Sequence, residues 1–173
     1  YPHQHPCLRP ITFRAEEVPT APLLKNPAYS TRHPGKGHLN GFFNLPGQPQ
    51  PGDLGFEHWF STQNNCLPSH RNPYNFVRNS IPVGPLEGHA ADLVADEAIG
   101  WLKSGRDKSK PFFLYVCFHE PHEPIRPDPR YSSLYDFPDE PSRAAYYGSI
   151  SQLDAACGRL LAALDELKLA DNT

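Results

Sequence analysis

Methionine is absent from all 173 residues, although a translated reading frame begins with one and a chain of this length carries several at average usage. The sequence therefore reads as a piece of a longer protein. Large apolar residues are scarce as well: Leu, Ile, Val and Phe make up about 22% of the chain, just above the level of disordered chains. The expectation is one thin core, since the length suits one average domain. No apolar run approaches the ~20 residues of a membrane-spanning helix and no basic-then-apolar leader opens the chain, so neither a membrane protein nor a visible precursor is expected. Charge of one sign is lacking too. With 16 basic and 19 acidic residues and a net charge of −3, there is no basic stripe to follow a phosphate backbone, and nucleic acid is not expected as a partner. The four cysteines, Cys7, Cys66, Cys117 and Cys157, show no C-x-x-C spacing, which argues against a zinc ribbon or a thioredoxin-type dithiol and leaves the compartment open. Proline is plentiful, at 21 residues or about 12% against a usual ~5%. Proline and glycine together still fall short of the ~25–30% of low-complexity chains, so collagen-like and linker-like readings are excluded.

Residues 1–20, with Pro2, Pro6, Pro10 and Pro19, read as an irregular lead-in. Ala21 to Tyr29 has the composition of a short helix that Pro27 interrupts. Gly35 to Pro85 is rich in Gly, Pro, Asn and aromatics without a period of two or 3.6, and reads as long loop structure. From His89, the apolar residues Ala90, Leu93, Val94, Ile99, Trp101 and Leu102 form a helical stripe that ends near Ser104-Gly105. Phe112 to Phe118 is a continuous apolar run, predicting a parallel strand buried on both faces. A long amphipathic helix over about 144–168 should turn Leu153, Cys157, Leu160 and Leu164 inward, beside that strand. Helix, buried strand, polar loop, helix is the order of an α/β unit, whose ligands bind beyond the carboxyl ends of the strands.

Two loops concentrate chemistry. His119-Glu120-Pro121-His122-Glu123-Pro124 follows the predicted strand and brings two imidazoles and two carboxylates into one proline-stiffened segment. It is not the H-E-x-x-H pattern of zinc proteases, because the spacing is three and Pro121 blocks the helix. A polar loop with solvent-facing histidines is the plain alternative. Gly35-Lys36-Gly37-His38-Leu39 sets a cation and an imidazole among glycines, which suits a small anion, yet it lacks P-loop spacing and is equally compatible with an ordinary turn.

Taken together the segments resemble a known family. Gly35-Lys36-Gly37-His38-Leu39 resembles the G-K-W-H-L motif of the sulfatases, and Pro111-Phe112-Phe113-Leu114-Tyr115 followed by Pro121-His122-Glu123-Pro124 resembles their P-F-F-L-Y strand and P-H-x-P loop. Gly55-Phe56-Glu57-His58-Trp59-Phe60, Tyr147-Gly148, Leu153-Asp154-Ala155-Ala156, Gly158-Arg159-Leu160-Leu161 and Leu169-Ala170-Asp171-Asn172-Thr173 follow in the family's order, so the resemblance spans about residues 15–173. It points to formylglycine-dependent enzymes of the arylsulfatase and N-acetylgalactosamine-6-sulfatase-like kind. It implies an alkaline-phosphatase-like α/β fold, a mixed sheet flanked by helices, with residues 1–173 a partial catalytic domain truncated at both ends. It also implies hydrolysis of sulfate esters, of sulfated sugars or polysaccharides or of aryl sulfates, by a formylglycine beside Ca2+. By motif position Lys36 would hold a sulfate oxygen, His38 would bind the hydrated formylglycine, and His122 would contact sulfate and protonate the leaving alcohol. His119 lies outside the matched positions and is expected to contribute little. Secreted, periplasmic or lysosomal location is the family's habit.

The family's nucleophile motif, C-x-P-S-R, has no match in residues 1–34, and S-D-N-G, which carries metal ligands, does not occur. Cys66-Leu67-Pro68-Ser69-His70-Arg71 comes near the first but has His70 where the motif has arginine, and it follows Lys36 instead of preceding it. The expectation is that this stretch is inactive alone, with no calcium ligand of its own. Gly37 replaces the motif's tryptophan, which should loosen Lys36 and His38. Three rivals stand beside this reading: a phosphatase or phosphonate hydrolase of the same superfamily, a non-catalytic sulfatase-like binding module, and a metal-binding module using His119 and His122.

Overall fold

The computed structural model describes residues 17–25, 29–45 and 47–173. Most of the expected lead-in, together with Cys7 and Pro27, lies outside these residues. A five-stranded sheet organises the chain, with β1 at Ser30–Lys36, β2 at His58–Thr62, β3 at Val77–Arg78, β4 at Ile81–Pro82 and β5 at Phe112–Leu114. Its order is β4-β3-β2-β1-β5. β1 runs parallel to both β2 and β5, whereas β3 and β4 are antiparallel additions. Helices α1 (Thr20–Lys25), α2 (Ala90–Gly100), α3 (Pro129–Ser132) and α4 (Pro141–Glu166) complete the architecture, α2 continuing as a π-turn to Gly105. The expected mixed α/β sheet with flanking helices is thus present.

The stretch from Gly35 to Pro85, expected to be loop, instead supplies the end of β1 and all of β2, β3 and β4. Ser30-Thr31-Arg32-His33-Pro34-Gly35-Lys36 shows no apolar pattern, yet Ser30 to Gly35 are all buried because neighbours cover the strand on both edges. Proline is normally kept out of such a central strand, since it cannot donate to the ladder. Here Tyr115 N donates to Arg32 O at 2.9 Å and Cys117 N to Pro34 O at 3.0 Å, so the carbonyl of Tyr115 lies where an N–H of residue 34 would reach. That carbonyl accepts the Nδ1–H of His33 instead, at 3.0 Å. One side chain thereby makes the bond that the proline ring withholds. Gly35 serves β1 by what it lacks. With φ of +112°, a Cβ there would lie 1.8 Å from the Cys117 carbonyl oxygen, so only glycine lets β1 meet the extension of β5.

The run from Phe112 is parallel as expected, and its pairing with β1 persists to Cys117. Its burial differs from expectation. Phe112, Phe113 and Leu114 are half-buried and Tyr115 is 49% exposed. Among the described residues β5 is an edge strand, paired on one side only, so its apolar side chains are not enclosed on both faces. One face packs Phe118 on the α2–α4 contact. The other stacks Phe113 and Tyr115 with Phe56.

α2 lies where its periodicity predicts and buries Ala90, Ala91, Val94, Ala95 and Ala98. α4 lies beside it, but Leu153, Cys157, Leu160 and Leu164 are only half-buried. The inward residues are Gly148, Ser149, Gln152, Ala156 and Ala163, because α2 meets α4 through alanines and small side chains permit that close approach. Gln152 donates to Asp92 on α2 at 2.8 Å and accepts from Asp128 N at 2.9 Å, a buried polar stitch in place of the expected leucine seam. The core proper gathers Phe60, Cys66, Phe76, Ala90 and Val94 between the sheet and α2.

Candidate active site

The parallel strands β1, β2 and the extended β5 end side by side, and the two loops rich in chemistry leave from those ends. Lys36 N donates to Cys117 O at 2.8 Å, Gly37 N to Thr62 O at 2.8 Å and His38 N to Gln63 O at 2.7 Å. Lys36 and His38 are therefore fastened on one side to the strand leading into the His122 loop and on the other to the end of β2. The Lys36 ammonium donates to Asn65 Oδ1 at 2.9 Å, and Asn65 is steadied by Asn75 Nδ2, which donates to its carbonyl at 2.9 Å. His38 is exposed and has φ of +46°, a left-handed conformation that an imidazole-bearing residue adopts at a cost of about 1–3 kcal/mol and that is concentrated at functional sites. Partial burial lowers the His38 pKa, and the positive charges of Lys36 and His122 lower it further. The three residues singled out from the sequence thus leave from one end of the sheet, on neighbouring strand ends.

His122 is exposed, its backbone N–H on His119 O at 3.0 Å. Its Nδ1 lies 2.8 Å from the Glu123 carbonyl, which can only accept, so Nδ1 carries hydrogen and Nε2 faces outward. Behind it the loop is buried. His119 is 3% exposed and lies 2.7 Å from Thr62 Oγ1. Glu120 is 6% exposed; its Oε1 accepts from Ala91 N, in the first turn of α2, at 3.0 Å, and its Oε2 has no partner. His70 Nδ1 stands 3.8 Å from Glu120 Oε1, and His70 N donates to Pro124 O at 3.2 Å, which clasps the 66–72 segment to this loop. Burial sets the ionisation of all three. Desolvation raises Glu120 to about 7, lowers His70 to about 4, and lowers His119 to about 3 with help from the charges of His70 and Lys36.

The alternative reading of a polar loop with solvent-facing histidines thus describes His122 and not His119. Nor does Gly37 leave a gap: a Cβ there would lie 2.9 Å from the Phe43 ring, which packs tilted at 59° against Trp59 with centroids 5.0 Å apart. Phe43 fills the space beside Gly37. Asn65, Thr62 and the meeting of His70 with Glu120 were missed from sequence, Glu120 having been noted only as a carboxylate of its loop; the amide-rich Gln63-Asn64-Asn65 was the available signal.

Among the described residues no three His, Cys, Asp or Glu side chains come together to hold a metal ion. Cys66, in the segment nearest to a nucleophile motif, is fully buried, with its thiol pushed well above the usual range by desolvation. The described residues therefore offer neither a cluster of such ligands for calcium nor, in Cys66, a thiol accessible for conversion to formylglycine. A family model for the sulfatases matches residues 6–173. The chain belongs to the sulfatase family. This sulfatase chain is 29% identical over 170 residues to N-acetylgalactosamine-6-sulfatase of Canis lupus familiaris, an alignment covering 87% of the chain and 30% of that relative. An arylsulfatase of Clostridium perfringens is 32% identical over 119 residues, covering 49% of the chain and 24% of the relative. Among solved structures, Ps i-CgsB in complex with k-i-k-neocarrahexaose superposes with a TM-score of 0.76 at 22% identity, over 95% of this chain and 41% of that one. A protein in complex with its substrate D-glucosamine-2-N,6-O-disulfate does so with a TM-score of 0.70 at 19% identity, over 94% and 49%. These likenesses establish the alkaline-phosphatase-like fold of the sulfatases. The chain spans about 30% of the length of the N-acetylgalactosamine-6-sulfatases it matches.

Proposed function

We propose that Lys36, His38 and His122 are the sulfate-binding and leaving-group side of a sulfuric ester hydrolase site, and that the longer protein to which residues 1–173 contribute part of the catalytic domain hydrolyses sulfate esters. The observation that supports this most is the adjacency of β1 and β5, which sets the Lys36–His38 loop and the His122 loop, far apart in sequence, on neighbouring parallel strand ends. Names of the relatives and the sulfated glucosamine bound by one structural neighbour favour a sulfated carbohydrate over a simple aryl sulfate. A fixed ammonium stabilises charge gathering on the sulfuryl oxygens, and Asn65 holds it in place. As an attacking oxygen bonds to sulfur and the bond between sulfur and the ester oxygen breaks, the departing alkoxide takes the Nε2 proton of a doubly protonated His122, leaving the ring neutral with Nδ1–H still on Glu123 O. His38 has its imidazole held outward by its backbone, ready for a group opposite. Calcium and formylglycine are the family's means of attack on sulfur, and the described residues do not supply them. Among the described residues no helix is long and apolar enough to cross a membrane, and export is proposed on the habit of the family.

Turnover of 4-nitrophenyl sulfate and of a 6-sulfated hexosamine by the full-length protein tests the reading. The wild type should hydrolyse both and leave the matching phosphate esters largely intact, and residues 1–173 alone, with calcium added, should give no turnover. His122→Ala and Lys36→Ala in the full-length protein should each lower kcat/KM about 10²–10⁴-fold on the sugar sulfate. Turnover of phosphate esters alone would replace the sulfatase reading with a phosphatase one.

A further inference from the structure

The Thr62 hydroxyl donates its one hydrogen to the Asn64 carbonyl, which can only accept. Its oxygen must then accept from His119, so the imidazole donates through Nε2–H across 2.7 Å and leaves Nδ1 bare. His119 is 3% exposed, and Nδ1 has no partner. A phenylalanine would fill such a site without leaving a buried nitrogen unpaired, an omission that costs about 1–3 kcal/mol. What the imidazole provides is a directed N–H. Around it stand the Phe76 ring edge-on at 5.4 Å, Lys36, His33 and His70. These neighbours offer the ring no carboxylate, and protonation is disfavoured. Thr62 is the junction. Its backbone oxygen takes Gly37 N–H, its hydroxyl fixes Asn64 beside the Asn65 that holds Lys36, and its oxygen receives the histidine that opens the His122 loop.

We propose that His119 and Thr62 form a positioning pair that sets His122 relative to Lys36, so that proton delivery to the leaving alcohol depends on a hydrogen bond behind the site. The proposal rests on the sulfatase reading above and goes beyond the motif positions, which leave both residues out. Neither touches substrate. Displacing the loop by a fraction of its hydrogen-bond length weakens the general acid, because proton transfer demands a heavy-atom approach of about 2.6–3.2 Å.

The test compares esters of unequal need for a proton in the full-length protein. A 4-nitrophenolate departs unaided, whereas a sugar alkoxide does not. Thr62→Val should lower kcat on the 6-sulfated hexosamine about 10–10²-fold, change it on 4-nitrophenyl sulfate by less than about 3-fold, and Thr62→Ser should restore both. Equal losses on the two esters, or a serine variant as impaired as valine, would overturn the pair while leaving the sulfatase reading intact. Absence of turnover by the wild type would overturn both. Should the valine variant fail to fold, ring nitrogen NMR of the wild type decides: His119 as a single Nε2–H tautomer, neutral at pH 6, supports the pair, and an Nδ1–H or doubly protonated ring there overturns it.

Discussion

Helix α2 touches two groups of ionisable side chains of opposite character. Near its start, Ala91 N–H meets Glu120, whose companions His70 and His119 carry unpaired ring nitrogens. Six residues on, about 9 Å along the axis, Glu97 receives Arg32 from β1 and Arg78 from β3, the latter through two bonds of 3.0 and 2.6 Å. In the second group each charge has an opposite partner, although burial lowers the Arg32 pKa and Glu97 only partly restores it. In the first, burial acts on groups with no adequate counter-charge and drives them toward neutrality. Pairing tolerates burial and fixes the sheet on the helix; lack of pairing shifts proton affinities, and it occurs directly behind the proposed site.

Breaking the paired group should have the largest effect on stability. Glu97→Ala leaves Arg32 buried without a counter-charge, and the urea midpoint should report a loss of about 3–5 kcal/mol. A loss below about 1 kcal/mol would mean that the network is solvated. The unpaired group should show itself through pH. Glu120 holds its proton to about 7 when folded against about 4.5 when unfolded, so the folded state binds more protons in that window and stability falls as pH rises through it, by on the order of 3 kcal/mol in all. His70 and His119 act in the other direction: they remain neutral when folded while the unfolded chain takes up protons below about 6.5, so stability falls as pH drops from there to their folded values of about 4 and 3. Glu120→Gln keeps an oxygen for Ala91 N–H and should abolish the upper slope alone; urea midpoints from pH 4 to 8 that still decline toward neutrality in this variant would refute the assignment. The smallest effect belongs to a pair that is neither buried nor constrained. Lys103 and Glu166 stand 3.7 Å apart with side chains 51% and 67% exposed, and Lys103→Ala should change stability by less than about 1 kcal/mol, a change that vanishes in high salt.

These contrasts explain which parts were readable in the sequence. α2 and α4 were legible as helices because a solvated side and a packed side impose a helical period, though the buried face of α4 was not, since it meets α2 through small residues. β5 was legible as a parallel strand from its apolar run, though not as an edge, since burial depends on neighbours that local composition does not name. β1 and β2 left no trace, because a strand held on both edges by backbone bonds can carry arginine, histidine, threonine and proline inside. Lys36, His38 and His122 stood out by motif. Thr62, Asn65 and His70 did not, and Glu120 stood out only as one carboxylate of its loop, since their roles arise from contacts between segments that share no local pattern.

The bond from His33 to the Tyr115 carbonyl makes two neighbouring positions interdependent. A proline at position 34 without His33 strips that carbonyl of its donor in a buried strand. A histidine at position 33 beside a residue that has its N–H costs little, because a carbonyl oxygen has room for two hydrogens. The dependence therefore runs one way: the proline needs the histidine, and the histidine does not need the proline. Substitutions at these two positions are unequal in consequence, since His33 can be replaced without loss only where position 34 again carries an N–H.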